Sequence, residues 1–495
     1  MKQFFNDSPI IACSSGHKEN CAISILRISG FDDIKDYAAC FSINLSNIKP
    51  RFAHFTNLID SKNNDILDEV ILLFFPKGAS FTGENILEIH CHGNTLNVDK
   101  IMKLFVDNFN VKYAQPGEFS YRAYKNKKLS MSQVEGLDLF LNAKSSYGLK
   151  AGMSGLSGAI DNDFLKLRDS FIELKSAVEL NIDFLDDIGE EQGQELLDKR
   201  TEAFGKLLSS LNDRCSTDID SLLRPDISFI GETNVGKSSL FNLLLNQDRS
   251  IVSDIHGTTR DYVSENILMK SQNFRLIDTA GLRETADKIE AEGIKRSLSF
   301  SNNSFLKVLV TDPEGLSSVD EKYDLILISK LDLLSKDSIK NIFKELIKLS
   351  TPSFIFSSLN DSYIGPIEPV VGSGLTGAVS DGPIEPVVGS GPMGAASDGP
   401  IEPLEGFSLA FKYYIFSEYS KLTNNDPFVI ERHVNKIKDL YESWSQFQSV
   451  MRNEKDIAII SSQLNLFNNT IDELIGMIAP DHVLHNIFDN FCIGK

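Results

Sequence analysis

The sequence predicts a multidomain protein of mixed α/β and all-α parts. In it, an α/β domain with a parallel sheet is inserted into a helical domain, behind an α+β N-terminal domain. Three observations lead there. The chain has 495 residues, more than one ordinary domain needs. Phe164, Leu167, Phe171, Leu174, Val178, Ile182 and Leu185 recur at three- and four-residue spacing, one apolar stripe on a long helix. After Pro225, short apolar runs alternate with amphipathic segments, the pattern of parallel strands joined by helices.

Composition bounds the rest. Hydrophobic content of 42% and charged content of 24% are ordinary for a soluble globular chain. No run of about 18 apolar residues occurs, so no membrane span is expected. The opening MKQFFNDSPIIACSS reads as a first strand rather than a signal peptide, because polar residues break its apolar patch. The cysteines Cys13, Cys21, Cys40, Cys91, Cys215 and Cys492 show neither a C-x-x-C pair nor zinc spacing. They fit free thiols in a reducing cytoplasm. A formal net charge of −20 repels nucleic acid, so RNA contact calls for a local basic patch or a partner. Lys125, Lys127 and Lys128 form one small basic cluster, with a solvated surface as the plainer reading of the first two.

In chain order, residues 1–125 form the α+β domain, with strands at Glu69–Phe75 and Leu87–Cys91 bounded by turn-rich segments. Residues 126–223 are the first part of the helical domain, with a second helix from Gln194 to Asn212. Residues 224–408 are the α/β domain. Its expected strands are Ile227–Ile230, Phe274–Ile277, Leu306–Val310 and Leu325–Ile328, and Ile339–Leu349 is amphipathic. Residues 409–495 return to helix at Leu409–Tyr419, His433–Phe447 and Asp456–Ile478, and end in FCIGK. Within the α/β domain, GPIEPVVGSGLTGAVSD from Gly365 repeats with a period of 17 residues at Gly382 and, truncated, at Gly399. Rich in Gly and Pro and poor in large apolar residues, residues 365–406 read as a disordered insertion.

The chemistry-bearing motifs lie in the α/β domain. Gly231-Glu-Thr-Asn-Val-Gly-Lys-Ser238 follows a strand and precedes an apolar helix, the context a P-loop requires. Its backbone N–H groups and the helix N-terminus suit phosphate. Lys237 reaches the β- and γ-phosphates, and the Ser238 hydroxyl suits Mg²⁺. Asn234, Val235, Gly236 and Ser239 complete the cradle. Ser253, Asp254, Ile255, His256, Gly257, Thr258 and Thr259 bring two adjacent threonines, one to close the Mg²⁺ shell, and Thr259 is assigned to it. Asp278, Thr279, Ala280 and Gly281 follow a strand. The aspartate suits an outer Mg²⁺ role and the glycine N–H the γ-phosphate. Ser329, Lys330 and Asp332 follow another, where the Asp332 carboxylate accepts from guanine N1–H and the 2-amino group but cannot satisfy adenine. Ser357, Ser358 and Leu359 form the last base-contacting loop. The expected ligand is therefore GTP with Mg²⁺. Leu282 stands where a water-orienting glutamine is found in Ras-type enzymes, which leaves Arg283, Glu284 and Glu290 as candidates.

These motifs, with ILRISG at Ile25–Gly30, SFTGENILEIHCHG at Ser80–Gly93, QPGEFSYRAYKNKKLSMSQVEGL at Gln115–Leu137 and the terminal FCIGK, resemble the MnmE (TrmE) family of tRNA-modification GTPases along nearly the whole chain. The resemblance implies a Ras-like GTPase domain and an N-terminal domain that dimerises and binds a 5-formyl- or methylene-tetrahydrofolate-type one-carbon donor. It implies a homodimer in a heterotetramer with the FAD-dependent partner MnmG (GidA), the partner supplying FAD. Together these place an aminomethyl or carboxymethylaminomethyl group on C5 of the wobble uridine of certain tRNAs. By motif match, Arg27, Glu88, Lys128 and Lys495 fall at folate-contacting positions, and Cys492 at the C-terminal cysteine. The family uses K⁺ in place of an arginine finger when two GTPase domains meet. Asn234, Ser253, Ile255 and Thr258 match its K⁺ loop, and Glu290 the glutamate that orients water.

The chain departs from the family at three places. SSGHKENCAIS replaces a glycine-rich stretch before ILRISG, Ser329 replaces an asparagine, and the repeat is inserted. Two other readings stand beside the enzyme: a ribosome-associated assembly GTPase, and a non-catalytic GTP-binding scaffold.

Overall fold

A computed structural model of the chain describes residues 8–16, 19–183, 189–215, 219–232, 234–245, 263–270, 272–278, 304–318, 323–349, 351–367, 404–424, 426–453, 457–476, 491 and 494. Two compact units emerge. The first comprises Met1–Asn142, Lys150–Asn212 and Arg432–Lys495, the second Ala143–Leu149 and Asp213–Glu431.

The first unit opens with strands β1 (Ile10–Cys13), β2 (Ile23–Ser29), β3 (His54–Ile59), β4 (Ile66–Phe75), β5 (Ile86–His92) and β6 (Lys112–Tyr113). They form one sheet in the order β3-β4-β5-β2-β1-β6, antiparallel except where β6 joins β1. Residue alternation decides its faces. Leu26, Ile28, Leu72, Leu87 and Ile89 turn inward onto Val98, Ile101 and Phe105 of helix α1 (Thr95–Asn108). Asn94 caps that helix by accepting the N–H groups of Leu96 and Asn97. On the opposite face Ile10 and Ala12 pack against Phe119, while Ile23, Phe55 and Ile71 stay 63%, 66% and 40% exposed.

Helices α2 (Glu118–Lys125), α3 (Met131–Asn142), α4 (Ser146–Leu156), α5 (Ala159–Asp183) and α6 (Glu190–Asn212) follow. The α5 stripe is buried from Phe164 to Val178, whereas Ile182 is 44% exposed and Leu185 lies outside the described residues. Helices α3 and α4 meet backbone to backbone. A Cβ on Gly136 would stand 2.5 Å from the Leu156 nitrogen, and one on Gly152 2.5 Å from that of Phe140.

The second unit holds α7 (Ile219–Leu223), β7 (Asp226–Ile230), α8 (Lys237–Leu245), β8 (Val263–Met269), β9 (Gln272–Asp278), β10 (Leu306–Thr311), β11 (Leu325–Ile328), α9 (Lys336–Leu346), β12 (Ser353–Ser357), β13 (Ser362–Ile367), β14 (Leu404–Glu405) and α10 (Phe407–Thr423). The strand order is β14-β13-β12-β11-β10-β7-β9-β8. The five inner strands β12, β11, β10, β7 and β9 are parallel as expected. Both margins are antiparallel, which corrects the purely parallel reading. The reason is loop length: two residues between β8 and β9, and four between β12 and β13, allow only hairpins. The insertion read as disordered over residues 365–406 is corrected at both ends, since Gly365–Ile367 belong to β13 and Leu404–Glu405 to β14.

By its contacts α10 belongs with this unit, although the sequence reading closes the α/β domain at residue 408. Phe407 stacks on Phe356 at 4.4 Å, Phe411 lies 6.1 Å from Phe229, and Tyr419 meets Phe274 edge-on. The chain then returns to the first unit through α11 (Glu431–Asn453) and α12 (Ile457–Ile475). There Arg432 donates to both carboxylate oxygens of Glu135 at 2.7 and 2.8 Å and to the terminal carbonyls of α12 at Glu473 and Leu474. Burial opposes ionisation of Glu135, but the contacts with Arg432 and His433 together outweigh it and pull the carboxyl down to about 2. His433 is fully buried, and burial lowers its pKa. Its Nε2 lies 2.9 Å from an Arg432 nitrogen and 3.3 Å from a Glu135 carboxylate oxygen, and burial outweighs the carboxylate to favour the neutral ring.

Candidate functional site

The P-loop hangs between β7 and α8. β7 is a buried central strand, so its C-terminal end opens onto the edge of the sheet where ligands bind in such folds. Gly231 needs to be glycine because a Cβ there would stand 2.0 Å from the Val310 carbonyl oxygen. Gly236 at φ 101° and Asn234 at φ 65° bend the loop in the left-handed region. Val235 is buried beneath it. Leu240, Phe241 and Leu244 fasten α8 to the sheet, with Phe241 edge-on to Phe229 at 5.3 Å.

Lys237 begins α8 and is 4% exposed. Its ammonium donates to the Gly231 carbonyl at 2.9 Å and the Glu232 carbonyl at 2.5 Å. The charge is thus held inside the loop by weak neutral acceptors, which anionic phosphate oxygens outcompete. Ser238 and Ser239 are exposed. Ser238 offers a hard oxygen beside the phosphate cradle, the donor Mg²⁺ prefers.

The base end lies along the same edge. The Ser329 N–H and hydroxyl both donate to the Thr311 carbonyl, at 2.9 and 3.2 Å. A Cβ on Gly236 would lie 3.6 Å from the Ser329 Cβ, so this buried serine lines the P-loop at close range. Lys330 adopts φ 66° and places its ammonium 3.3 Å from an Asp312 carboxylate oxygen. One turn on, Asp332 accepts the Ser357 hydroxyl at 2.5 Å, and the Ser357 oxygen in turn accepts the Leu359 N–H at 3.3 Å. Sequence reasoning placed Ser357 and Asp332 in separate motifs; here they form one unit, with Leu359 86% exposed beside it. Asp278 sits at the C-terminal end of β9, level with Phe229 of β7. Ser358 follows Ser357 in the turn after β12.

Ser253, Asp254, Ile255, His256, Gly257, Thr258, Thr259, Thr279, Ala280, Gly281, Leu282, Arg283, Glu284 and Glu290 lie outside the described residues, as do Cys492 and Lys495.

In the first unit, Arg27 of β2 and Glu88 of β5 are direct cross-strand partners. Arg27 Nε and Nη2 donate to one Glu88 oxygen at 2.9 and 2.7 Å, and the guanidinium lies 5.8 Å from the Phe119 ring centre and 5.9 Å from that of Phe81. The aromatic walls were missed from sequence. Lys128 donates to the Gly78 carbonyl at 3.0 Å and packs against Gly83, on the loop before β5. A buried network, also missed, lies nearby. Arg122 reaches Glu84 and Glu118, and Ser29 donates to Glu84 at 2.8 Å. The ends of the FCIGK segment are tied down, Phe491 against Val134 and the Gly494 carbonyl to the Ser14 hydroxyl at 3.2 Å. Charged groups beside aromatic rings in this way suit a flat ring with a carboxylate tail.

A P-loop whose lysine is buried at the phosphate end, joined along one sheet edge to a carboxylate base reader, defines a guanine-nucleotide-binding protein of the P-loop class. Comparison with known proteins narrows it. Residues 9–128 match the family model "GTP-binding protein TrmE N-terminus", and residues 226–340 match "50S ribosome-binding GTPase". The tRNA modification GTPase MnmE of Aquifex aeolicus is 30% identical over 504 aligned positions, covering 98% of this chain and 99% of its own. Those of Buchnera aphidicola, 30% identical, and Mesoplasma florum, 28%, each align over 96% of both chains. The chain belongs to the MnmE family of tRNA modification GTPases.

Proposed function

We propose that this protein hydrolyses GTP to drive modification of the wobble uridine of certain tRNAs, in the cytoplasm. An FAD-dependent MnmG-type partner would share in placing an aminomethyl or carboxymethylaminomethyl group on C5. The observation that carries the reading is the continuous edge from Lys237 through Ser329 to the Asp332–Ser357 pair, in a chain that aligns end to end with its relatives.

In this reading the P-loop N–H groups and Lys237 hold the phosphates, and Asp332, fixed by Ser357, reads guanine. Ser238 and Thr259 would hold Mg²⁺, with Asp278 behind them. Asn234, Ser253, Ile255 and Thr258 would hold K⁺ when two GTPase domains meet. A cation there neutralises charge that develops on the transferring phosphate. Glu290 would orient the attacking water, a task Leu282 cannot perform. Arg27, Glu88, Lys128 and Lys495 would bind the folate-type one-carbon donor, and Cys492 stands beside Lys495 in the sequence. The exposed Ile23, Phe55 and Ile71 of the N-terminal sheet support a homodimer. With a net charge of −20, much of the contact to tRNA would come from the partner.

GTP turnover in KCl against NaCl, at equal ionic strength with Mg²⁺, tests this. Strong K⁺-specific stimulation that Glu290→Ala abolishes, with GTP binding retained, is the expected result. Equal background rates in both salts would remove the K⁺ mechanism.

A further inference from the structure

Strand β10 ends at Thr311, and the next residue, Asp312, belongs to none of the nucleotide motifs. Its two carboxylate oxygens do different things. Oδ1 accepts the Gly315 N–H at 3.2 Å, which closes the turn after β10. Oδ2 receives the Lys330 ammonium at 3.3 Å. The ends of β10 and β11 are therefore tied at successive residues, Thr311 to Ser329 and Asp312 to Lys330. Lys330 holds φ 66°, a region unfavourable to any residue with a Cβ, and such geometry persists where the surroundings hold it.

Lys330 lies between Ser329, which lines the P-loop, and the base reader Asp332. With its ammonium fixed at one end and its backbone at the other, its four-carbon stem lies along the edge as a hydrocarbon strip. A purine ring read by Asp332 packs on such a surface. Without the anchor, the stem samples rotamers that binding must then freeze.

We propose that Asp312 is a positioning residue of the guanine site, which acts by holding the Lys330 ammonium so that the lysine stem is ordered before the base arrives. The inference rests on the GTP-site reading above. The two side chains are 28% and 42% exposed, so solvent screens the pair and the effect is moderate, about threefold to fivefold in affinity.

Calorimetric titration of the full chain with GDP and Mg²⁺ tests it. The variants are Asp312→Asn, Lys330→Met and the two combined. Asparagine keeps an oxygen for the Gly315 N–H and removes the charge alone. The expected results are GDP binding about threefold to fivefold weaker in Asp312→Asn, an unchanged unfolding midpoint without nucleotide, and no further loss when Asp312→Asn is added to Lys330→Met. Wild-type affinity in Asp312→Asn, or the same loss with and without Lys330→Met, overturns the role. A wild-type chain that binds no GDP overturns the site reading, and the inference with it.

Discussion

Both units bury ionised side chains, but they hold them differently. In the first unit each buried charge meets an opposite one: Glu135 with Arg432, and Arg122 with Glu84 and Glu118. In the second, the buried Lys237 donates to two backbone carbonyls of the P-loop, and the exposed Asp332 accepts a hydroxyl. A charge paired with a charge is satisfied, and removing either partner strands the other in low dielectric. A charge held by neutral groups can exchange them for a stronger ligand. The first arrangement fastens a fold, and the second waits for a substrate.

The sharpest way to break this contrast is at Arg432. Replacing it by methionine leaves the buried Glu135 carboxylate without its guanidinium, beside His433 at 3.3 Å, and strips the end of α12. A loss of about 3–5 kcal/mol is expected, read from urea unfolding. Glu135→Gln in the same chain should recover part of it, because the stranded charge is gone. GDP affinity of whatever remains folded should stay unchanged. A loss below about 1 kcal/mol would mean that the pair is not what holds these helices.

Lys237→Ala is the counterpart. It removes a cation that donates to two P-loop carbonyls, so stability should shift less than GDP affinity, which should fall about 100-fold, near 2.7 kcal/mol. Equal losses of stability and affinity would erase the distinction between the two units.

How much of this was readable beforehand follows from the range of the forces involved. The α5 stripe and the P-loop are local patterns of spacing, so the sequence placed Phe164–Val178 and Gly231–Ser238 correctly. The antiparallel margins escaped because β8, β13 and β14 depend on pairing partners rather than on periodicity. The allegiance of α10 escaped for the same reason: Phe407 and Phe411 show helical spacing whichever core they enter. Arg432 and His433 carry no local mark of their partner, and only the tertiary fold brings Glu135 to them across some 300 residues of chain. At the nucleotide site the motifs supplied Lys237, Ser329 and Asp332. They were silent on Asp312, whose only local mark is its place after a buried strand.

Acid should separate the units next. Glu135 titrates near 4.5 when unfolded and at about 2 when folded, so its contribution is complete above 4.5 and fades as pH falls toward 2. His433 runs in the same direction. Its folded pKa is depressed, so below about 6.5 the unfolded chain takes up a proton that the buried neutral ring refuses. Stability should therefore decline from about pH 6.5 downward, by up to about 1.4 kcal/mol per pH unit for each proton. Urea midpoints for wild type and His433→Gln check this. The variant should lose the slope just below about pH 6.5, and an unchanged slope there would assign the acid sensitivity to other groups.

The smallest effect belongs to the repeat. β13 and β14 pair antiparallel, with Ser362 opposite Glu405 and Tyr363 opposite Leu404. Asp361 closes the base below them: its carbonyl accepts the Gly406 and Phe407 N–H groups, and its carboxylate caps α10 at Ser408. The chain thus leaves and re-enters the second unit at neighbouring strands, whatever lies between. Ile367 stands four residues beyond Tyr363, about 13 Å along the strand, and a strand spacing of about 5 Å separates it laterally from Leu404. A return of about 14 Å is needed, and six Gly and Ser residues reach about 20 Å. Replacing residues 368–403 by such a linker should shift the unfolding midpoint by less than about 2 °C, since loop-closure entropy changes slowly with length and favours the shorter loop. GDP affinity should stay within about twofold, because the Asp332–Ser357 pair and the P-loop carbonyls that Lys237 donates to lie outside that segment. A fall of many degrees would show that the repeat packs on the second unit and that its Gly- and Pro-rich composition was misread.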